Sequence, residues 1–257
     1  MAELENYLTN IANAIREKKK TNAPINAQDF ASEILNLPSG GGSGDNYYDT
    51  FWDNYQQNGE RANYAYAFYG VGWNDRTFKP KYKFIAKTRD SFSDMFRGNL
   101  GITEINSVDH FETPTNKAYA NYMFYGTNIK KVIFDLNGFS TCGHMFRASE
   151  VEWVELYNLS GDIFDRTFEN CSKLHHLYLE GTPANKTFTL ASSPLDKDSI
   201  INVVNFLSDT TNGQAVTFNL SAVNSAFETA NGLADGSTSE EWLALIATKS
   251  NWTISLA

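Results

Sequence analysis

An apolar triplet spaced L-x-x-L-x-L runs through the middle of this 257-residue chain, and it limits the possible folds more than any other feature. Three copies are complete: Ile129-x-x-Val132-x-Phe134, Val151-x-x-Val154-x-Leu156 and Leu174-x-x-Leu177-x-Leu179. A degenerate first copy, Ile102-x-x-Ile105, carries Ser107 in the third apolar place. Each copy follows an aromatic by five or six residues, namely Phe96, Phe124, Phe146 and Phe168, which are separated by 28, 22 and 22 residues. Triplets in phase with aromatics at this period imply one short strand and one return segment per copy. Neighbouring copies then bury each other's apolar residues.

A repeat of this length and pattern is the signature of a leucine-rich-repeat solenoid. We expect an α/β chain with that solenoid over 90–190, an aromatic N-terminal cap over 47–89 and a mixed α/β C-terminal cap over 191–257. A small N-terminal helical hairpin, 1–37, precedes them across a Gly/Ser linker, 38–46.

In the hairpin, Leu4, Leu8, Ile11 and Ile15 form one apolar stripe. Lys18, Lys19 and Lys20 follow in the last turn, where the helix dipole favours positive charge. A second helix starts at Asn26, with Ile25 and Phe30 as its hydrophobic staple, and Phe30, Ile34 and Leu35 line its apolar side. Two such short helices cannot stabilise themselves alone. They need a second copy, another protein, or the solenoid itself, and Leu4, Leu8, Ile11, Ile15, Phe30 and Ile34 are the candidate attachment or oligomer contacts.

The stretch 47–84 is dense in Tyr, Phe and Trp, as expected of an atypical terminal unit, and sugar binding is its alternative use. After the repeats, the pattern predicts a helix over 195–207, a strand over 215–220, a short helix over 221–227, a helix opening at Ser239 and a strand over 252–256.

A net charge of -9 argues against non-specific nucleic-acid binding. No signal-peptide pattern opens the chain and no apolar run of about 18 residues occurs, so we expect neither export nor a membrane span. Cys142 and Cys171 stand at different places relative to Phe146 and Phe168, which favours two buried thiols over a disulfide. No catalytic motif is present, and the histidines His110, His144, His175 and His176 lack metal-ligand spacing. We expect no enzyme activity, no cofactor and no metal.

Met-Phe pairs recur at Met95-Phe96, Met123-Phe124 and Met145-Phe146, and the last unit reads F-x-x-C-x-x-L-x-x-L-x-L from Phe168 to Leu179. The region 90–190 resembles the BspA-like leucine-rich repeats of bacterial surface proteins. Its Met-Phe version is similar to the branch found in Gram-positive bacteria. The hairpin segments from Leu8 to Lys18 and from Ile25 to Ala31 resemble a helical element of tail-associated proteins of phages infecting Gram-positive bacteria. The stretch from Phe51 to Gly59, with Gly72 to Asp75, looks like sequences accompanying such repeats in gut bacteria and their phages.

Strand alternation turns the residues between the anchors outward in ladders across the copies. One ladder is Glu104, Lys131, Trp153 and His176; the next is Asn106, Ile133, Glu155 and Tyr178; the third is Val108, Asp135, Tyr157 and Glu180. Trp153, Glu155, Tyr157, His176, Tyr178 and Glu180 are therefore the candidate ligand-binding residues, suited to a sugar or a protein. The alternative is that the C-terminal cap or another subunit covers them.

Two functions fit. The first is a phage virion protein, of the tail or receptor-binding kind, that recognises a host cell-surface glycan or protein. It would be made in the host cytoplasm, attach to other virion proteins through 1–37, and form a homo-oligomer, a trimer by analogy. The second is a BspA-like adhesin or interaction module at a bacterial cell surface.

Overall fold

A computed structural model describes residues 67–69, 83–84, 92–114, 117–160, 164–210, 212–228 and 235–257. All lie in the second of the two units into which the chain divides, 58–257. The expected hairpin, its contacts Leu4, Leu8, Ile11, Ile15, Phe30 and Ile34, the linker and most of 47–89 lie outside the described residues.

Each triplet forms one strand. Strands β1 (Glu104–Asn106), β3 (Lys131–Asp135), β5 (Trp153–Leu159) and β6 (His176–Gly181) make a parallel sheet in the order β1-β3-β5-β6. The second anchors Ile105, Val132, Val154 and Leu177 are register partners in sequence, as are the third anchors Phe134, Leu156 and Leu179. All seven are buried. In-phase copies leave a parallel sheet only one register that buries every anchor, because a one-residue slip would turn the set outward.

In the first copy the strand stops early. Asn106 caps a one-turn helix, α1 (Ser107–His110), by accepting from the Val108 amide. Ser107 keeps the buried place of the missing anchor. The residues that lengthen this copy to 28 supply α1 and the loop leading to β2 (Ala118–Tyr119), which pairs with β4 (Phe139–Thr141). Thr167, which stands where the other copies have Met, is buried and donates its hydroxyl to the Cys142 carbonyl at 3.1 Å.

The return side carries a second ladder. Phe68, Phe96, Phe124, Phe146 and Phe168 stack ring on ring at 5.2, 5.5, 5.6 and 5.9 Å, with nearly parallel planes. Phe68 is a rung that the sequence reading had placed in the aromatic cap. Around the rings the backbone is held by bonds that always run one way. The amides of Tyr122, Phe124 and Gly126 donate to the carbonyls of Gly143, Met145 and Arg147, and those of His144, Phe146 and Ala148 to Asp165, Thr167 and Glu169. From Phe96 to Phe168 this geometry puts the residues two before and two after each ring in the left-handed region: Asp94 and Gly98, Tyr122 and Gly126, His144 and Ala148, Arg166 and Asn170.

Both cysteines are free and buried. The Cys171 thiol donates to the Phe146 carbonyl at 3.0 Å. Burial pushes both thiols upward, Cys171 to about 12, so both stay protonated.

Beyond β6, helix α2 (Lys197–Phe206) lies along the open sheet edge, started by Asp196. The amide of Leu177 donates to Ser199 Oγ, that of Leu179 to Asn202 Oδ1, and Asn202 Nδ2 donates to the Leu179 carbonyl. Helix side chains thus satisfy the edge that another strand would otherwise occupy. Strands β7 (Phe188–Leu190), β8 (Gln214–Phe218) and β9 (Trp252–Leu256) form a separate parallel sheet. Helices α3 (Leu220–Phe227) and α4 (Glu240–Ala247) pack nearby through Phe227 and Trp242, with α4 capped by Ser239 as its sequence suggests. The elements fall within about two residues of the sequence expectation. Lys249, buried, ties this region together by donating to the Leu207 carbonyl at 2.7 Å and to Asp209 at 2.6 Å.

Candidate functional site

The outward residues of β3, β5 and β6 meet as the register requires. Lys131, Trp153 and His176 are consecutive partners, and so are Ile133, Glu155 and Tyr178. Because β5 lies between β3 and β6, the Trp153 indole meets a partner from each flanking strand. The His176 ring stacks on it at 3.5 Å and 15°, and the Lys131 ammonium sits 5.2 Å from its centroid. His176 Nδ1 also lies 3.5 Å from an Asp196 carboxylate oxygen at the start of α2.

Glu155 is the hub. Trp153 Nε1 donates to one carboxylate oxygen and the Tyr157 hydroxyl to the other, both at 2.7 Å. Burial works to raise the Glu155 carboxyl, but the bonds from Tyr157 and Trp153, with His176 and Lys131 nearby, outweigh it and hold the group below the usual carboxylate range. The same bond, with burial, pushes the Tyr157 phenol up to about 12. Tyr178 repeats the pattern at the edge, where its hydroxyl donates to Glu180 at 3.0 Å and its phenol is raised mainly by that bond.

The third ladder is interrupted at both ends. Val108 sits on α1, 63% exposed and outside the sheet. Between β5 and β6 the register shifts after Leu156, with Asn158 in the left-handed region, so Tyr157 and Asn158 together face Glu180. The Tyr157 ring lies against Tyr178, its diagonal neighbour, at 5.6 Å and 48°. Asp135 stays in register with Tyr157 and accepts from Asn158 Nδ2 at 2.9 Å.

All six candidate ligand-binding residues are therefore in one patch. Trp153, Glu155, Tyr157, His176 and Tyr178 are partly open and Glu180 is exposed. Helix α2 lies along the edge of the sheet, bonded to the β6 backbone.

Sequence reasoning missed a second line of side chains, on the return side. The residue after each stacked ring is Tyr69, Arg97, Tyr125, Arg147 or Glu169. The Arg97 guanidinium lies 5.8, 5.4 and 4.8 Å from the rings of Tyr69, Tyr122 and Tyr125, and Arg147 lies 5.9 Å from Tyr125. Arg97 pairs with Asp94 at 2.9 Å and Arg147 with Glu169 at 3.3 Å. These cations are neutralised locally, which makes the line a lateral brace. A cleft of about 300 Å³ opens beside Asp135, lined among others by Lys83, Ser107, Phe111, Glu112 and Phe139.

A family model described as BspA type leucine rich repeat region matches in six copies, over residues 64–185 and 93–221. The match begins early enough to include Phe68. No curated protein and no solved structure matches the chain.

Proposed function

Because the chain belongs to the BspA-type leucine-rich-repeat family, we propose that it is a non-catalytic recognition module that binds a cell-surface glycan or protein through the outward face of β3, β5 and β6. One observation carries this reading. An aromatic and carboxylate patch is fixed in place by its own hydrogen bonds, as with Trp153 and Tyr157 on Glu155, yet remains partly open to solvent. Preorganised aromatic groups lose little entropy on binding. We take the copies to wind as a solenoid, with 47–89 and 191–257 as its caps.

We further place the module on a phage virion, as a tail or receptor-binding component. The support is the resemblance of 1–37 to a tail-associated element and the apolar stripe from Leu4 to Ile15, which needs a partner. Trimeric assembly through this segment is by analogy. The second reading, a bacterial surface adhesin, is favoured by the family match itself.

The test uses the labelled full chain on a panel of intact Gram-positive bacteria, beside a Trp153→Ala/Tyr178→Ala variant. Binding to some strains that the variant loses supports recognition through this face. Equal binding by both proteins, or by neither, removes it. Antibodies to the chain that decorate phage particles favour the virion reading, and decoration of cell envelopes favours the adhesin.

A further inference from the structure

We propose that the face of β3, β5 and β6 takes a basic protein segment, with an arginine or lysine side chain seated between Tyr157, Tyr178, Glu155 and Glu180. This rests on the recognition reading above and names its partner.

The first argument is what the face withholds. A sugar ring stacks on an open aromatic face. The Trp153 indole is already engaged, stacked by His176 and with the Lys131 ammonium 5.2 Å from its centroid. The second argument is hydrogen-bonding character. The indole N–H and both tyrosine hydroxyl protons are committed to Glu155 and Glu180. What remains outward near the two tyrosines is mainly acceptor, carboxylate and phenol oxygens, and the Asn158 amide beside them already donates to Asp135. Sugar hydroxyls both donate and accept, whereas guanidinium and ammonium groups only donate.

The third argument is charge. The outward ladders carry four carboxylates, Glu104, Asp135, Glu155 and Glu180, against the single ammonium of Lys131. That ammonium is drawn over Trp153, away from the tyrosines. Tyr157 and Tyr178, tilted at 48° with centroids 5.6 Å apart, offer ring faces to a cation, and adjoining carboxylates add charge-assisted hydrogen bonds. The corner arises because Glu155 pairs with Tyr178, which sets Tyr157, two residues on along the same face, diagonal to Tyr178.

The experiment is fluorescence anisotropy of a labelled nona-arginine peptide with the full chain at physiological salt. Two charge-matched variants stand beside it: Glu155→Gln/Glu180→Gln on the face and Glu240→Gln/Glu241→Gln on α4. The expected result is about tenfold weaker binding for the face variant, as for loss of a charge-assisted contact, and less than about twofold for the α4 variant. Glu180→Gln alone, at an exposed position, should show part of the loss without any effect on folding. Equal weakening by both pairs would mean a non-specific response to an acidic chain and would overturn the proposal, as would no binding at all. Binding of a neutral oligosaccharide such as chitohexaose, lost in Tyr178→Ala and kept in Glu180→Gln, would also overturn it. The bacterial panel separates the two levels. If cells bind the parent and the face variant equally but not Trp153→Ala/Tyr178→Ala, recognition through the face stands and the cationic partner falls.

Discussion

The hydroxyl of Ser107 accepts a hydrogen bond from the Asp135 amide at 2.7 Å, from the buried place where other copies carry a Phe or Leu anchor. The first strand ends one residue earlier, so its neighbour β3 has no strand carbonyl there to use. A small polar side chain closes the gap that a regular anchor would have left unbonded.

Ser107→Ala should therefore destabilise the protein by about 1–2 kcal/mol, since it strands a backbone donor in a buried site. Urea denaturation measures the loss. A change within error would mean that water replaces the hydroxyl without penalty.

The left-handed positions on the return side give a matched pair. At Gly126 the backbone φ is +63°, and an added Cβ would meet nothing within 4 Å, so Gly126→Ala tests backbone conformation alone. It should cost about 1 kcal/mol. Ala148 holds the equivalent place at φ +56° and is exposed, so Ala148→Gly should be neutral or stabilise by about 0.5 kcal/mol. Thermal melts should show a lower midpoint for Gly126→Ala and an unchanged or higher one for Ala148→Gly.

Asn202 bonds both the amide and the carbonyl of Leu179 on the outer edge of β6. Asn202→Ala should cost about 2 kcal/mol and leave a strand edge able to pair with other chains. Light scattering after size exclusion should show concentration-dependent association that the parent lacks.

The hydrogen bond to Glu155 pushes the Tyr157 phenol up to about 12, where a free tyrosine titrates near 10. A raised folded value means a stabilising contribution that is complete below about pH 10 and lost as pH rises through about 12. NMR of tyrosine ring carbons should show this late phenol. Glu155→Gln should return it toward the ordinary value, and a Tyr157 titration that did not move would remove Glu155 as the cause.

The anchors, the strand register and the two buried thiols were legible because each depends on a period, and a period survives in a bare sequence. Phe68 was hidden because its surroundings are uniformly aromatic, although Phe68-Tyr69-Gly70 repeats Phe124-Tyr125-Gly126. The left-handed positions were hidden because Asp94, Tyr122, His144 and Arg166 share a backbone conformation and no side-chain chemistry. The six residues of the face could be gathered by alternation alone. Their quality could not, since the covering of Trp153 and the bulge at Asn158 depend on rotamers and on one extra residue.

The amide ladder around the stacked rings has a polarity. From Phe68 to Phe146 each copy donates toward the next, and from Phe96 to Phe168 each accepts from the one before. A two-fold axis placed across either end of this ladder would set donors against donors or acceptors against acceptors. The only neighbour that could extend it is one arriving head to tail. Lengthening by whole 22-residue copies is consequently a conservative change, because each inserted copy brings one complete interface and disturbs none.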